Sequence, residues 1–383
     1  DFFKREEEDD PRVFRFKSLD SIFIPGYPFA VPISFRASHK IPKLKLDIVH
    51  AHTYASLGML GDLVALLINA PKIFTYHTYY SEYAKDYIFS GKIDASRLVK
   101  KYDVFYCNRS DRVITPSIKL KHILEDVGVK SQIDVLPTGV DASEFSGLDG
   151  KQFRIDYNLR PDQPMLLFVG RLGKEKNVDF LLRMMNVLVR QDSAAVLFIV
   201  GDGKYRKELE ALARELNLEK NVVFTGYLKR SETLAAFAAA DVFTFSSLTD
   251  TQGLVLLEAA SFSKPIVMVR DEGIGEVVVD GKNGFITEEN PRVFCEKVLS
   301  LLQKKELYGR MSSNSKAIAA DFTIVRQTDK LLKIYNDSIR EHSDYSRRAK
   351  FWLALRKDLK IPEWLKINKK VIANFNKDKN DGK

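Results

Sequence analysis

Cysteine is scarce in this chain, and neither a long apolar run nor a leader-like N-terminal pattern is present. Only two cysteines occur in 383 residues, Cys107 and Cys295, far apart in the sequence. This excludes a disulfide scaffold and favours a reducing compartment. No apolar run approaches the roughly 20 residues that span a bilayer, so we expect no transmembrane helix. The opening residues, DFFKREEEDD, are acidic and lack the apolar stretch of a signal peptide.

The composition is that of a folded protein with a basic tail. Hydrophobic residues make up 45% of the chain and aromatic residues 11%, and the length suits two domains of about 150 residues each. The formal net charge is +9, and residues 341–383 hold 12 Lys and Arg against 6 Asp and Glu. Because the basic excess lies in this Trp- and Leu-containing tail, an anionic membrane is favoured over nucleic acid as a partner.

Short β-rich runs alternate with helical patterns in two series. The first begins with LDIVHAHT (46–53), and the second begins near Pro164 and ends with GFIT (284–287). This alternation predicts parallel βαβ units. The polar stretch at 141–152 separates the series, so we predict an α/β protein of two doubly wound domains. Ligands of such sheets bind beyond the carboxyl ends of the strands, which makes the cleft between the domains the expected site.

Two carboxylates frame the segment TDTQGLVLLEAAS (249–261). Asp250 follows a predicted strand, and Glu258 lies eight residues later in an apolar helical run that we predict to begin near Thr251 or Gln252. The amides of a helix N-terminus at the cleft provide an anion site, and carboxylates accept hydrogen bonds from vicinal sugar hydroxyls. The alternative is that Asp250 is only a helix cap and Glu258 an exposed helix residue.

A second segment, FVGRLGKEKNVDFLL (168–182), brings cations to a strand end. Arg171, Lys174 and Lys176 follow the predicted strand and precede a helix. Fixed cations there suit a diphosphate and its developing charge, and the sequence has no obvious cluster of metal ligands. The alternative is a set of solvated charges. The segment VGDGKYR (200–206) adds another glycine-rich strand exit, which alone is a weak signal.

Four segments follow one another along the chain, namely GRLGKEKN, VGDGKYR, FTGYL and TDTQGLVLLEAAS. In this order and at these intervals they resemble the donor domain of retaining glycosyltransferase family 4. The resemblance covers about residues 45–340 and implies the GT-B fold, with two facing Rossmann-like domains and a C-terminal helical tail. Residues 1–148 would form the acceptor- and membrane-facing domain and residues 149–325 the nucleotide-sugar donor domain. A helix and a basic amphipathic tail would occupy residues 326–383.

The resemblance also implies a role for each matched position. Glu258 should accept the ribose hydroxyls of a nucleotide sugar, and Asp250 should hold hexose hydroxyls. Arg171 and Lys176 should neutralise the diphosphate. His77, at the end of IFTYHT, matches a histidine near the reacting sugar, and His52 in HAHT is a second match. The remaining implied donor-binding positions are Gly201, Gly226, Tyr227, Thr251, Gln252, Gly253 and Leu254.

Two departures from the family pattern bear on the site. Asp250 stands where the family usually has glutamate, so its reach is one methylene shorter. The family also opens with a strand and a glycine-rich loop that contact donor and acceptor, and the resemblance implies that both precede Asp1. We therefore expect residues 1–148 to lack part of the site.

Two aromatic segments indicate the acceptor. YHTYYSEYAKDY (76–87), with Tyr79, Tyr80 and Tyr83, resembles bacterial diacylglycerol glucosyltransferases, although aromatic clusters also pack cores. The tail segment at 346–370 has helically spaced apolar residues amid basic ones, which is typical of an interfacial helix on anionic lipid. Its alternative is a helix packed on the first domain. The tail residues predicted to contact the membrane are Trp352, Arg356, Lys357 and Trp364.

The sequence therefore predicts a retaining hexosyltransferase that moves glucose from UDP-glucose to diacylglycerol or monoglucosyl-diacylglycerol. We expect a peripheral protein on the cytoplasmic face of the membrane, with no essential metal ion and no nucleic-acid partner. One alternative is a family 4 enzyme with another acceptor, such as a phosphatidylinositol, a wall polymer or a soluble sugar. Another is a non-catalytic module that binds a nucleotide sugar. The sequence leaves the donor hexose and the oligomeric state open.

Overall fold

The computed structural model describes residues 13–20, 28–32, 40–54, 56–79, 96–145, 147–191, 193–248, 250–271 and 276–342. Two parallel sheets dominate these ranges, and helices connect their strands. A short antiparallel pair, β1 (Ser18–Asp20) and β2 (Pro28–Ala30), forms a separate two-stranded sheet. The predicted fold class, two doubly wound α/β domains with a C-terminal helix, is confirmed.

The N-terminal domain contains a four-stranded parallel sheet in the order β3-β4-β5-β6. Its strands are β3 (Val49–Ala51), β4 (Lys72–Thr75), β5 (Arg112–Thr115) and β6 (Gln132–Val135). Its described helices are α1 (Ser56–Ile68), α2 (Ser96–Cys107) and α3 (Ile118–Asp126). Because neighbouring strands follow each other in the chain and every pair is parallel, each connection crosses one face of the sheet.

The C-terminal domain contains a six-stranded parallel sheet in the order β12-β11-β10-β7-β8-β9. Its strands are β7 (Met165–Val169), β8 (Val196–Val200), β9 (Val222–Gly226), β10 (Val242–Phe245), β11 (Ile266–Val269) and β12 (Gly284–Thr287). The order reverses between β7 and β10, the switch point at which ligands of such sheets bind. The segments Arg171–Lys176 and Asp250–Leu254 follow these two strands.

Eight α-helices of the described chain follow the first sheet. They are α4 (Lys151–Asp156), α5 (Val178–Val189), α6 (Arg206–Glu215), α7 (Arg230–Ala239), α8 (Leu254–Ser261), α9 (Pro291–Gln303) and α10 (Lys305–Ala319), followed by a last helix, α11 (Ile324–Glu341). Helix α9 begins at a proline, and the Asn290 side chain accepts hydrogen bonds from the amides of Arg292 and Val293. This satisfies donors that the first turn leaves free.

The core of the C-terminal domain lies on both faces of its sheet. Along β7, Leu166 and Phe168 pack into one buried cluster with helix α5, whereas Met165 and Leu167 pack into another with helices α7 and α8. The side chains of a strand alternate between faces, so a strand that is apolar at every position must be covered on both sides. This explains why the strand segments read as unbroken apolar runs.

Helix α11 connects the two domains. At its start, the amide of Ile324 donates to the Val140 carbonyl at 3.0 Å, and the Val140 amide donates to the Phe322 carbonyl at 2.9 Å. Toward its end, the Tyr335 hydroxyl lies 2.6 Å from Nδ1 of His50, and Glu341 forms an ion pair with Arg112 at 2.8 Å. The last described helix therefore returns from the donor side to the first sheet. The predicted boundaries after residues 148 and 325 stay predictions.

Candidate active site

Helix α8 begins at Leu254, later than the sequence indicated. Gly253 is its N-cap and has φ 64° and ψ 51°, a left-handed conformation that glycine adopts without steric cost. The predicted start near Thr251 or Gln252 is therefore wrong, because Gly253 interrupts the helical conformation. Residues 250–253 instead lie in the non-helical connection between β10 and α8, and they line the cleft together with Leu254.

The cation segment after β7 forms a short 3₁₀ helix, Lys174–Lys176, ahead of α5. Lys176 Nζ contacts both oxygens of Asp250 at 2.7 and 2.8 Å, and each side chain is only partly exposed. Arg171 forms an ion pair with Glu175 at 2.9 Å and is more exposed. The cation predicted for the diphosphate and the acid predicted for the hexose thus bind each other.

A cavity of about 410 Å³ lies between the two domains. His77, Pro116 and Thr138 line it from the N-terminal side. Eight of the predicted site residues line this one cavity, namely His77, Arg171, Lys176, Asp250, Thr251, Gln252, Gly253 and Leu254. The N-terminus of α8 and two cations therefore face the same space, an arrangement suited to an anionic ligand.

Glu258 lies one turn into α8 and is engaged by Arg230, the first residue of α7. Arg230 donates through Nη1 to Glu258 and through Nη2 to Glu144 at 2.8 Å. Glu144 belongs to the segment that joins the two domains, in the 3₁₀ helix Ala142–Phe145. The Glu258 side chain is 13% exposed, whereas Arg230 is half exposed. The carboxylate predicted to bind ribose is thus tied to the interdomain segment through one arginine.

Two glycines at the carboxyl ends of β8 and β9 lie next to this cavity. Gly201 has φ 131°, and a Cβ atom there would lie 2.0 Å from the carbonyl oxygen of Gly170, a cavity residue. The Gly201 amide donates to the Gly226 carbonyl at 2.9 Å. The next residue, Tyr227, is 76% exposed. Gly201 therefore approaches a cavity residue, but none of Gly201, Gly226 and Tyr227 is among the residues that line the cavity.

His77 follows strand β4 and belongs to a cluster of three histidines. Its Nε2 lies 2.9 Å from Nδ1 of His52, and the ring of His52 lies 4.2 Å from that of His50. Burial lowers the pKa of all three, and the charges of the neighbouring histidines add to this for His50 and His77. The pKa of His50 falls to about 3. The cluster is therefore neutral near pH 7.

The sequence does not indicate several contacts that connect the two domains beside the cavity. Lys119, on α3, forms an ion pair with Asp271, and the Ile118 amide donates to Glu276 at 3.1 Å. Arg230 and Glu144, the partners of Glu258, were also missed. These residues lie far apart in the chain, since Lys119 and Asp271 are separated by 152 positions. No local sequence pattern connects them.

Several predicted acceptor residues lie outside the described residues. They are Tyr80, Tyr83, Trp352, Arg356, Lys357 and Trp364. Tyr79 is described, and it packs against the apolar core of the N-terminal domain. Its role in acceptor binding stays a prediction. Across the described ranges, no helix has both the length and the apolar character needed to cross a bilayer.

Two family models match the chain. The Glycosyltransferase Family 4 model matches residues 2–144, and the Glycosyl transferases group 1 model matches residues 149–318. The fold and the cleft thus define a GT-B protein. The chain belongs to glycosyltransferase family 4, and the prediction of a glycosyltransferase is confirmed.

Two similar proteins carry the same name. Alpha-monoglucosyldiacylglycerol synthase of Streptococcus pneumoniae is 30% identical over 284 residues, which cover 71% of this chain and 64% of the relative. The protein of the same name from Acholeplasma laidlawii is 28% identical, with 82% of this chain and 81% of the relative covered. The chain thus spans less than two thirds of the pneumococcal relative's length.

A solved structure shares the fold. Anabaena HepE in complex with UDP and glucose superimposes with a TM-score of 0.66 over 79% of this chain and 81% of that chain. The two sequences are 20% identical. At this identity the similarity supports the GT-B architecture alone.

Proposed function

We propose that the protein is a retaining glycosyltransferase that moves glucose from UDP-glucose to diacylglycerol, or to monoglucosyl-diacylglycerol, at a membrane surface. One observation carries the proposal. The cleft between the domains brings His77 together with Arg171, Lys176, Asp250 and the N-terminus of α8. Basic side chains and helix amides suit a diphosphate, and a carboxylate with an imidazole suits sugar hydroxyls.

The proposed donor pose runs along the edge of the second sheet. The diphosphate lies at Lys176, Arg171 and the amides of the segment before α8. Glu258 accepts from the ribose hydroxyls, with the base near Gly226 and Tyr227. UDP-glucose is the donor we propose, in line with the UDP and glucose bound in the Anabaena protein of the same fold. Lys176 must leave Asp250 for the diphosphate, which releases the Asp250 carboxylate to accept from hexose hydroxyls.

The chemistry follows from a donor held at these cations. The acceptor oxygen forms its bond to the anomeric carbon from the side on which the diphosphate departs. The bond between that carbon and the β-phosphate oxygen breaks, and the hydroxyl proton passes to the departing phosphate. Lys176 and Arg171 stabilise the charge that develops on the diphosphate. The anomeric configuration is retained, and no metal ion is required.

The acceptor is proposed from the relatives and from the tail. Both synthases reported above carry monoglucosyldiacylglycerol in their names. The basic, Trp-containing composition of residues 346–370 suits an anionic lipid surface. We therefore propose that the protein binds the cytoplasmic face of the membrane from outside the bilayer and meets diacylglycerol there.

Radiolabelled UDP-glucose and vesicles that contain diacylglycerol and anionic lipid test this proposal. We expect a labelled glucolipid, separable by thin-layer chromatography, which keeps the α configuration of the donor and forms in the presence of a chelator. Lys176→Met should lower the rate by about 100-fold, as for removal of a group that stabilises transition-state charge. Lys174→Met, which changes a neighbouring exposed lysine, should leave the rate within about twofold, as is usual for surface substitutions.

Other outcomes distinguish the alternatives. Label in a phosphatidylinositol, a wall polymer or a soluble sugar, with none in diacylglycerol, would replace the acceptor and keep the enzyme class. UDP-glucose that binds without turnover on any of these acceptors would favour a non-catalytic nucleotide-sugar-binding module. Complete dependence on magnesium would contradict the role given to Arg171 and Lys176.

A further inference from the structure

His52 and His77 are brought together by the pairing of their strands. Strands β3 and β4 are parallel neighbours in which Ala51 lies opposite Phe74. His52 follows β3 directly and His77 comes two residues after β4, so both rings lie at the carboxyl edge of the first sheet. Nδ1 of His52 is 2.9 Å from Nε2 of His77, and the rings are within 21° of parallel. Only His77 is among the residues that line the cavity.

This nitrogen–nitrogen contact restricts the protonation of both rings. A hydrogen bond between two imidazole nitrogens contains one proton, so one ring donates and the other accepts. If His52 donates, His77 carries its own proton on Nδ1. If His77 donates, its Nδ1 is an acceptor. In both cases Nδ1 is the nitrogen of His77 that remains for a ligand in the cleft, and its state depends on His52.

The ring of His52 lies against the rings of His77 and His50, and burial lowers the pKa of His52. His50 lies against it on the other side, and Nε2 of His50 contacts the Thr75 hydroxyl at 2.7 Å while Nδ1 contacts the Tyr335 hydroxyl at 2.6 Å. The titratable groups that face His52 are therefore His77 and His50, with Tyr335 of α11 behind His50. A single added proton still leaves one hydrogen between the two facing nitrogens, whereas protonation of both rings would place a hydrogen on each of them and break their contact.

We propose that His52 is a positioning residue for the transfer reaction, which acts by fixing the ring plane and tautomer of His77 so that Nδ1 of His77 meets a hexose hydroxyl in the cleft. The inference rests on the proposed function, because it assumes that a hexose lies beside His77. It goes beyond the role of His77 itself, because His52 contacts His77 and is not among the residues that line the cavity.

Two substitutions of His52 differ in which ring nitrogen they imitate. In His52→Asn the side-chain amide lies near the position of Nδ1, the nitrogen that contacts His77. In His52→Gln the amide lies near the position of Nε2 instead. If the contact to His77 matters, His52→Asn should keep kcat within about threefold of the parent, and His52→Gln should lower it by about tenfold or more. The Kd for UDP should be unchanged in both, because neither variant touches the nucleotide.

The double variant His52→Gln/His77→Ala distinguishes positioning from an independent contribution. Residues that act as a unit are not additive, so the double variant should be no slower than His77→Ala alone. The acid limb of the pH profile of kcat should also move in His52→Gln, because replacing His52 changes the surroundings in which His77 titrates. Additive losses, or equal rates for the Asn and Gln variants, would overturn the proposal.

Imidazole nitrogen NMR provides a readout that does not depend on transfer. With six histidines in the chain, selective ¹⁵N labelling resolves the tautomer of each ring. We expect one tautomer for His77 in the parent and in His52→Asn, and a mixture in His52→Gln. A fixed tautomer in all three proteins would contradict the role of His52 even if transfer were confirmed. A tautomer that depends on His52, without any glucosyl transfer, would instead place the fault in the proposed function.

Discussion

Arg230 bridges two carboxylates that belong to different parts of the molecule. It contacts Glu258, the acid predicted to bind ribose, and Glu144, in the segment between the domains. Ribose hydroxyls must share the Glu258 carboxylate with this guanidinium or displace it. An ion pair with a half-exposed partner contributes about 1 kcal/mol or less, so the nucleotide can compete for it.

The two acids give a matched pair of variants. Glu258→Gln should weaken UDP binding by about tenfold, because it removes a charged acceptor of ribose hydroxyls. Glu144→Gln removes the other carboxylate from the same arginine and should change the Kd for UDP by less than about twofold, in the range of an exposed ion pair. Isothermal titration with UDP measures both. Equal weakening would assign the effect to Arg230 and contradict the ribose contact.

The sequence predicts which residues reach the cleft better than it predicts their partners. Lys176 and Asp250 are each recognisable from a strand end and a following helix, which are local signals. Their contact with each other depends on β7 and β10 being neighbours in the sheet, and no local pattern contains this. The bridge from Arg230 to Glu144 spans 86 residues and was missed for the same reason.

At the scale of elements, the ends of β7 and β8 approach so closely that only glycine fits. A Cβ added at Gly201 would lie 2.0 Å from the Gly170 carbonyl oxygen. Gly281 also has positive φ, but a Cβ added there would meet no atom within 4 Å. Gly201→Ala should therefore lower Tm more than Gly281→Ala, whose cost is backbone strain of about 1 kcal/mol. It should also weaken UDP binding, because Gly170 lines the cavity.

Thermal unfolding and UDP titration of both variants test this. Gly281→Ala is the control for positive φ without a close contact. If the two variants lose equal stability and both retain UDP affinity, close approach of the strands is not what requires glycine at position 201.

Element boundaries show what the sequence could and could not predict. Ten of the twelve described strands, β3 to β12, are recognisable in the sequence, because buried strands of parallel sheets are continuously apolar. The start of α8 was placed too early, because Thr251 and Gln252 are compatible with a first helical turn. The left-handed conformation of Gly253 delays the helix, and glycine in a sequence does not reveal the sign of its φ.

Docking of α11 on the first sheet makes stability depend on pH. Burial beside Tyr335 lowers the pKa of His50 to about 3, against about 6.5 in the unfolded chain. The unfolded state therefore takes up a proton first as pH falls below about 6.5, and the folded state loses stability until the folded pKa is reached. By pH 5 this amounts to at most about 2 kcal/mol.

His50→Gln removes this titration. Tm should fall less between pH 7.5 and pH 5 in the variant than in the parent, and calorimetry at the two pH values measures the difference. The variant can be less stable at pH 7.5 because it alters the contacts to Tyr335 and Thr75, so the slope and not the absolute Tm is the test. An unchanged slope would contradict the buried neutral state of His50.

At the scale of the whole molecule, residues of both domains line the candidate site. His77, Pro116 and Thr138 face the donor side across the cavity, and Lys119 with Asp271 and Ile118 with Glu276 connect the same two surfaces. Neither domain contains the complete set of predicted residues. The tail is the part of the molecule to which the proposed function assigns membrane binding. This assignment comes from the sequence of the tail alone.

Deletion of residues 346–383 tests the tail separately from the cleft. Loss of the basic, Trp-containing segment should abolish flotation with anionic vesicles and lower glucosylation of vesicle-embedded diacylglycerol by about tenfold or more, because about 1 kcal/mol per basic residue of surface attraction is removed. The Kd for UDP should not change. Vesicle binding that survives the deletion would assign the membrane contact to another surface.

One arrangement is central to the proposed function, namely UDP-glucose with its diphosphate bound between Lys176 and the segment before α8. A crystal structure of the protein with UDP-glucose tests it most directly. We expect diphosphate oxygens within hydrogen-bond distance of Lys176 Nζ, the Asp250 carboxylate released toward the hexose, and the hexose beside His77. Nucleotide bound elsewhere, with the pair of Lys176 and Asp250 intact, would contradict the proposed active site.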